Sequence, residues 1–412
     1  MKKRFLLIKI TAIFLAITFL CSFTIKAKKE SELSWVILPG SSRLTPAFPD
    51  KCSTYAFITF KTKTGDFDLV KLTGEFPHAR YFSFTTYDSN QGTDLAAILD
   101  QDIKPDQGNI NPFIIGVNRT ADKRNYTIWL VKEGVSPPDE SNFMIIPANV
   151  ESLLLGLRIY RPDNGTDSFG NVNLPKIEFL KKDLTIGVTP DSSFNLAGIL
   201  KKIPILFFNK ELIESWKIGR YFNRDNIVFY RVSDEGYFPN SHNEYLSAIL
   251  PQFYYNKIAV VTFKPPTFED TYNNEKFQGG KDVRYWSICT GGLGATATPD
   301  CLCDDQIRLN SNGTVTICIA PEYMKNIIEN AGFNYMKWGV TYKPILIYRQ
   351  LVANESFDGN IHKVPKIGRP PSPENRTKEY FNENRADNFI GDYCPTGKIY
   401  SVLEFIDWLK KQ

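Results

Sequence analysis

The residues able to do covalent or ligating chemistry in this chain are few. Of seven cysteines, Cys21 lies in an apolar N-terminal stretch and the others are Cys52, Cys289, Cys301, Cys303, Cys318 and Cys394. An even number of cysteines in a chain that leaves the cytosol points to disulfides. Cys301 and Cys303 are too close in sequence to bond one another. Each is therefore expected to reach a neighbouring strand, such as those bearing Cys289 and Cys318. The alternative is a four-thiolate zinc site from Cys289, Cys301, Cys303 and Cys318, but its Cys-x-Cys lacks the usual knuckle spacing. Disulfides are the expectation, and no metal or cofactor is assigned.

His78, His242 and His362 are isolated in sequence, so a nucleophile or carboxylate must be brought to any of them by the fold. His242, within Pro239-Asn240-Ser241-His242-Asn243, is the catalytic candidate. Asp88, Asp94, Asp100, Asp102 and Asp106 could supply a glycosidase pair or a calcium site, yet they show no ordered ligand spacing and read as a solvated loop. Asp163-Asn164-Gly165-Thr166-Asp167 matches a calcium turn in composition only. Arg80, Arg284 and Trp286 are the ligand-binding candidates. The arginines could pair with a buried carboxylate or face a groove; a stem packed beside aromatics with its head in water is the preferred reading.

Other motifs fail on context. Gly292-Leu293-Gly294-Ala295-Thr296-Ala297 imitates a dinucleotide fingerprint, but Pro299-Asp300-Cys301 follows where a helix N-terminus is needed. Gly391 to Gly397-Lys398 has the wrong spacing for a phosphate loop and no hydroxyl after the lysine. Asn-x-Ser/Thr sequons begin at Asn118, Asn125, Asn164, Asn312, Asn354 and Asn375, and matter only in a host that glycosylates.

The elements that must position these residues follow from composition and repetition. The 412 residues, 42% of them hydrophobic, are enough for two to three domains with real cores. Lys2, Lys3, Arg4, Lys9 and Lys26 lie in an N-terminal stretch without acids, and the remainder carries 44 positive against 45 acidic residues, a net of −1. An electrostatic nucleic-acid binder is thereby disfavoured. The basic head followed by apolar Ile10 to Ile25 predicts a signal peptide over residues 1–27, or an uncleaved anchor as the only membrane contact. The product is expected to be exported: periplasmic, secreted or anchored facing outward.

Six blocks recur in order about 190 residues apart. Phe48-Pro49 with Tyr55 matches Phe238-Pro239 with Tyr245, and Leu72-Thr73 to Phe76-Pro77 matches Val261-Thr262 to Pro265-Pro266. Arg80-Tyr81-Phe82-Ser83-Phe84 pairs with Arg284-Tyr285-Trp286-Ser287-Ile288, and Tyr126-Thr127-Ile128-Trp129-Leu130 with Val315-Thr316-Ile317-Cys318-Ile319. Asn142-Phe143-Met144 answers Asn334-Tyr335-Met336, and Ile159-Tyr160-Arg161 answers Ile347-Tyr348-Arg349. Five of the six offsets lie between 188 and 192, and the Arg80 block stands at 204.

The blocks alternate and are rich in β-branched and aromatic residues, as strands are. Asn312-Gly313 predicts a hairpin between Ile307–Leu309 and Val315–Ile317. The expected fold is mainly β, two tandem jelly-roll-like antiparallel β-sandwiches from an internal duplication, over 28–182 and 226–365. A helical connector is expected over 183–225. A Pro-rich tail is expected over 366–412, its short closing helix opened by the capping box of Ser401 and Glu404.

At these blocks the chain resembles an uncharacterised bacterial family of exported proteins, a domain of unknown function. Its pattern runs from a Trp- or Tyr-rich strand ending in Tyr-Asp through Thr-Ile-Tyr-Ile and Asn-Trp-Leu-Pro to Leu-Arg-x-Tyr-x-Pro. Here stand Phe82 to Tyr87-Asp88, Thr127-Ile128-Trp129-Leu130, Asn142-Phe143 to Pro147, and Leu157-Arg158-Ile159-Tyr160-Arg161-Pro162. The second copy departs, with Gly339 at the proline and Arg349-Gln350 at the end. The resemblance implies a jelly-roll-like sandwich and no reaction. The functional expectation is an exported protein binding a small ligand, glycan or protein in the seam between copies or on an aromatic strand face. A hydrolase built around His242 and the acidic loops is the alternative.

Overall fold

The computed structural model describes residues 33–41, 48–193, 226–232, 238–250, 256–292, 297–339, 344–367, 372, 375 and 377–412. The N-terminal segment, and the connector beyond Ser193, lie outside the described residues.

Alternating apolar residues build two stacked sheets in the first half. One runs β1 (Val36–Pro39), β2 (Ser53–Lys61), β8 (Ser152–Pro162), β4 (Ala79–Asp88), β5 (Asp94–Leu99). The other runs β7 (Phe143–Ile146), β6 (Asn125–Lys132), β3 (Leu69–Glu75), β9 (Lys176–Leu180). Ala56, Ile58 and Phe60 of β2, Phe82 and Phe84 of β4, and Tyr126, Ile128 and Leu130 of β6 close a single core between them. Each large side chain so enclosed contributes about 1.5–3 kcal/mol.

The second half repeats this strand order. One sheet is β12 (Asn243–Ile249), β18 (Pro344–Ala353), β14 (Val283–Gly292), β15 (Ala297–Cys303). Its partner is β10 (Asn226–Ile227), β20 (Thr396–Ser401), β13 (Lys257–Phe263), β16 (Val315–Ala320), β17 (Asn334–Lys337). Trp286, Ile288, Phe263, Ile317 and Tyr348 lie in the core between them. The fold is mainly β, as expected. The sheets are mixed in the same place in each half, because β7 runs parallel to β6 and β17 parallel to β16.

Local details coincide as well. Asn142 donates to the carbonyls of Lys104 and Thr127 and accepts from the amide of Lys104, while Asn334 does the same with Arg308 and Thr316. This explains why an asparagine opens both blocks: one side chain satisfies three backbone groups where an edge strand begins. Phe48 and Phe238 both have positive φ, at 52° and 58°, as do Arg161 and Val352, at 47° and 49°. Positive φ is uncommon outside glycine and costly for a β-branched valine, so its recurrence marks a backbone path both halves require. The offset of 204 at Arg284 has a simple cause: β3 and β4 are joined by 76–78, whereas β13 and β14 are joined by the longer 264–282.

Two expectations need correction. Ser311–Gly313 does turn, with the Gly313 amide on the Asn310 carbonyl, but Ile307–Leu309 forms no strand and so no hairpin arises. The C-terminal segment is no mere tail, since β20 inserts between β10 and β13. Helix Val402–Leu409 carries the expected capping box and packs Phe405 over Ile258 and Val260.

Both faces are buried along all ten residues of β4 and along β14 except at the partly buried Arg284. Their inner residues enter the two cores, and their outer residues meet. Tyr81, Leu99 and Tyr160 pack with Tyr285, Cys303 and Leu351 in one cluster. The molecule is therefore four layers deep, and the loop before β14 carries Phe277 into the core of the first half.

Candidate functional site

The middle of this four-layer stack holds most of the residues singled out in the sequence. Arg80 on β4 is fully enclosed. It donates from Nη1 to Asp304, from Nη2 to Asp270 at 3.1 Å and from Nε to Thr271 at 3.3 Å, all in the second half. Arg284 on β14 reaches back to Asp100 at 3.2 Å and to Gln101 at 2.9 Å. Each carboxylate also accepts a backbone amide of its own half, Phe82 on Asp100 and Trp286 on Asp304. The exchange is reciprocal: each half lends an arginine to the other's carboxylate. Burial pushes the Asp100 carboxyl up to about 6 against the pull of Arg284, and pushes Asp304 up against the pull of Arg80. The preferred reading of these arginines is corrected, because Arg80 has no head in water and desolvation demands a paired charge there. Trp286, 1% exposed, is a core residue and presents no face to a ligand.

The same reciprocity recurs with Arg158 and Arg349, which lie opposite Ser83 and Ser287; the last recurrent block is thereby corrected by three residues, since Arg349 matches Arg158 and Val352 matches Arg161. Arg158 on β8 holds the carbonyls of Phe238 and Pro239 at 3.0 and 3.3 Å, and Arg349 on β18 holds that of Phe48. Beyond them the halves diverge. His242 shares a hydrogen bond of 2.9 Å between Nδ1 and the Tyr81 hydroxyl, which also reaches Asn240 at 3.4 Å. Burial lowers the His242 pKa, Arg158 lowers it further and Asp102 opposes. Burial raises the Tyr81 phenol well above its ordinary range, so it is a poor nucleophile at His242. Asp100 is committed to Arg284, and Asp88 accepts the amides of Asn90 and Gln91 in its own turn. His78 meets Arg124, His362 meets Glu244, and Asp163 of the calcium-like turn pairs with Arg119. Among the described residues, the structure does not bring His242 and the acidic loop into a nucleophile–base set.

At the position matching Asn240 stands Asp50, wholly buried. It accepts from the Tyr285 hydroxyl at 2.9 and 3.0 Å, from Ser287 at 2.5 Å and from the Cys52 amide at 2.9 Å. Cys52 and Cys303 are paired at disulfide distance across the halves, and Cys289 with Cys301 across β14 and β15. Disulfides were expected, and Cys301 does reach the neighbouring strand that bears Cys289; Cys303 instead reaches a partner 251 residues away, and Cys318 and Cys394 are free and buried. Burial pushes the Cys318 thiol up to about 12 and that of Cys394 higher still, so both are inert. The four-thiolate zinc alternative fails because Cys318 belongs to a separate cluster under the closing helix. Asp50 had no sequence motif of its own; its signal was its place directly after the recurrent Phe48-Pro49.

A different feature lies at the outer edge of the first half. A cleft of about 420 Å³ opens between β1, β2, β9 and the chain at 186–189, lined by Leu33, Trp35, Ile58, Ile177, Phe179 and Ile186, with Glu178 and Thr189 as polar neighbours. The Trp35 indole is fixed by a 3.0 Å hydrogen bond to the Pro175 carbonyl. Apolar exposure continues outward, with Leu184, Ile186 and Val188 at 52%, 90% and 60%. Sequence patterning missed this site because Trp35 stands outside every recurrent block.

No protein-family model matches the chain, and no curated protein does either. Among solved structures, the chain is similar to an uncharacterised protein from Burkholderia cenocepacia, with a TM-score of 0.51 and 10% identity over 82% of this chain and 83% of that one. A Vibrio parahaemolyticus protein gives 0.37 at 12% identity over 75% and 86%, and a domain of a biofilm-associated protein 0.20 at 11% over 83% and 54%. The first of these likenesses concerns the fold alone. The Burkholderia cenocepacia protein is itself uncharacterised, which is consistent with the family resemblance.

Proposed function

We propose that this protein is an exported, non-enzymatic binding protein, built from two copies of one ancestral sandwich, that takes an apolar or amphipathic small ligand in the cleft beside Trp35. The cleft carries the reading: its size and its aliphatic and aromatic side chains, interspersed with polar atoms, are those of a small-molecule site. The shared strand order, the matched asparagine brackets and the recurrent positive φ support the common ancestry. The paired cysteines suit an oxidising compartment, and the N-terminal sequence suits export. The seam, expected as a ligand groove, is filled by Tyr81, Tyr160, Tyr285 and their neighbours, so binding is assigned to the outer edge instead.

The test is thermal denaturation of the mature protein with fatty acids, lysophospholipids and aromatic glycosides, repeated with Trp35→Ala. A ligand at a hundredfold excess over its Kd stabilises the native state by about 2.7 kcal/mol. The expected result is stabilisation by one class, lost in the variant. Stabilisation unchanged by Trp35→Ala, or hydrolysis of ester, glycoside or phosphate substrates abolished by His242→Ala, would overturn the reading.

A further inference from the structure

We propose that, once the Cys52–Cys303 bridge is opened by a dithiol, Cys52, Cys303 and Asp50 hold one borderline-soft divalent ion of the zinc class, so that the seam exchanges a covalent staple for a metal one. One donor atom from each of the three residues lies within 4.8 Å of the others. A thiolate–thiolate–carboxylate set with one position left for water is an accepted zinc environment. The carboxylate is already oriented, because Tyr285, Ser287 and the Cys52 amide fix both of its oxygens. Such outer hydrogen bonds are what orient a metal-binding carboxylate.

Access favours this trio over Asp50 with Cys289 and Cys301, which also converge. Cys52 is half-buried, and its sulfur lies 3.8 Å from Gln306 Oε1 at the seam's margin. Cys289 is sealed from solvent, and the guanidinium of Arg349 sits 2.7 Å from its sulfur against 4.0 Å from Asp50, so a second cation would be repelled more strongly beside Cys289. The chemistry balances: the dithiol is oxidised to its own disulfide as the Cys52–Cys303 bond is reduced to two thiols, and the incoming ion displaces the two thiol protons.

The matching place in the other half is a built-in control. It keeps the tyrosine and the turn but carries Asn240 for Asp50, His242 for Cys52 and Leu99 for Cys303. Asp50→Asn therefore installs a residue this backbone already accommodates.

Cobalt(II) is the probe, added to full-length native protein after mild dithiothreitol treatment and removal of the reductant, with zinc as competitor. The expected result is one cobalt per chain with a thiolate-to-cobalt absorption band, absent from oxidised protein and from Cys52→Ser. Affinity should fall at least about tenfold in Asp50→Asn. Zinc should also restore the thermal midpoint lost on reduction. A reduced protein without the band, a band that survives Cys52→Ser, or unchanged affinity in Asp50→Asn would overturn the proposal.

Discussion

The bridge between Cys52 and Cys303 spans 251 residues, and that between Cys289 and Cys301 spans 12. If cross-links act by restricting the unfolded chain, their value grows with the logarithm of loop length, to about 5.5 kcal/mol for the long bridge and about 3 kcal/mol for the short one at 25 °C. The short loop is nested inside the long one, which changes the larger figure little because the dependence is logarithmic. The perturbation is therefore a pair of double variants, Cys52→Ala with Cys303→Ala and Cys289→Ala with Cys301→Ala. Each leaves only small side chains at the site. Urea unfolding followed by tryptophan fluorescence should place the first variant well below the second, by about 2 kcal/mol or more. A loss for the first no greater than for the second would refute the chain-entropy argument and show that the halves associate equally well unstapled.

Asp304→Ala leaves the buried Arg80 guanidinium only Asp270 and Thr271 as hydrogen-bond partners and should cost about 1–3 kcal/mol in denaturant unfolding. Removing Arg80 together with Asp304, as Arg80→Met with Asp304→Leu, should cost distinctly less, and equal costs would argue against a buried pair. Phe277→Ala empties a site in the first core filled from the second half and should cost about 3–5 kcal/mol in thermal denaturation; a loss below 1 kcal/mol would contradict that packing. Burial lowers the His242 pKa below 6.5, so its contribution to stability is complete above pH 6.5 and declines as pH falls from there toward the folded value. An NMR titration should show the His242 midpoint below 6.5, and His242→Gln should flatten that part of the stability profile. A midpoint above 6.5 would reverse the sign.

Strands were legible where core residues repeat with period two, and five of the six matched blocks could be read from spacing, whereas the order of strands in the sheets and their parallel edges could not. Asn142 and Asn334 illustrate what sequence conveys: a recurring asparagine announces a recurring backbone need, even before the bracket it forms is seen. Arg80 and Arg284 show the limit. Their matched positions were visible, but that each would cross to the other half's carboxylate depends on how two sheets stack, and strand periodicity says nothing about an outer face. Residues of β4 and β14 that read as water-facing by alternation are covered instead by one another. Asp50 and Trp35 escaped notice for a related reason, since each acquires its surroundings from segments more than a hundred residues distant.

During synthesis the chain appears from its N-terminus, and Asp100 must wait for 184 further residues before Arg284 exists. Throughout that interval the newly made front portion shows the world a sheet surface bearing Tyr81, Tyr160 and Arg158, adhesive and unneutralised. Folding factors or prompt completion of the polypeptide must shield it, and a gene truncated anywhere between the two sandwiches should yield insoluble material in place of a small stable domain.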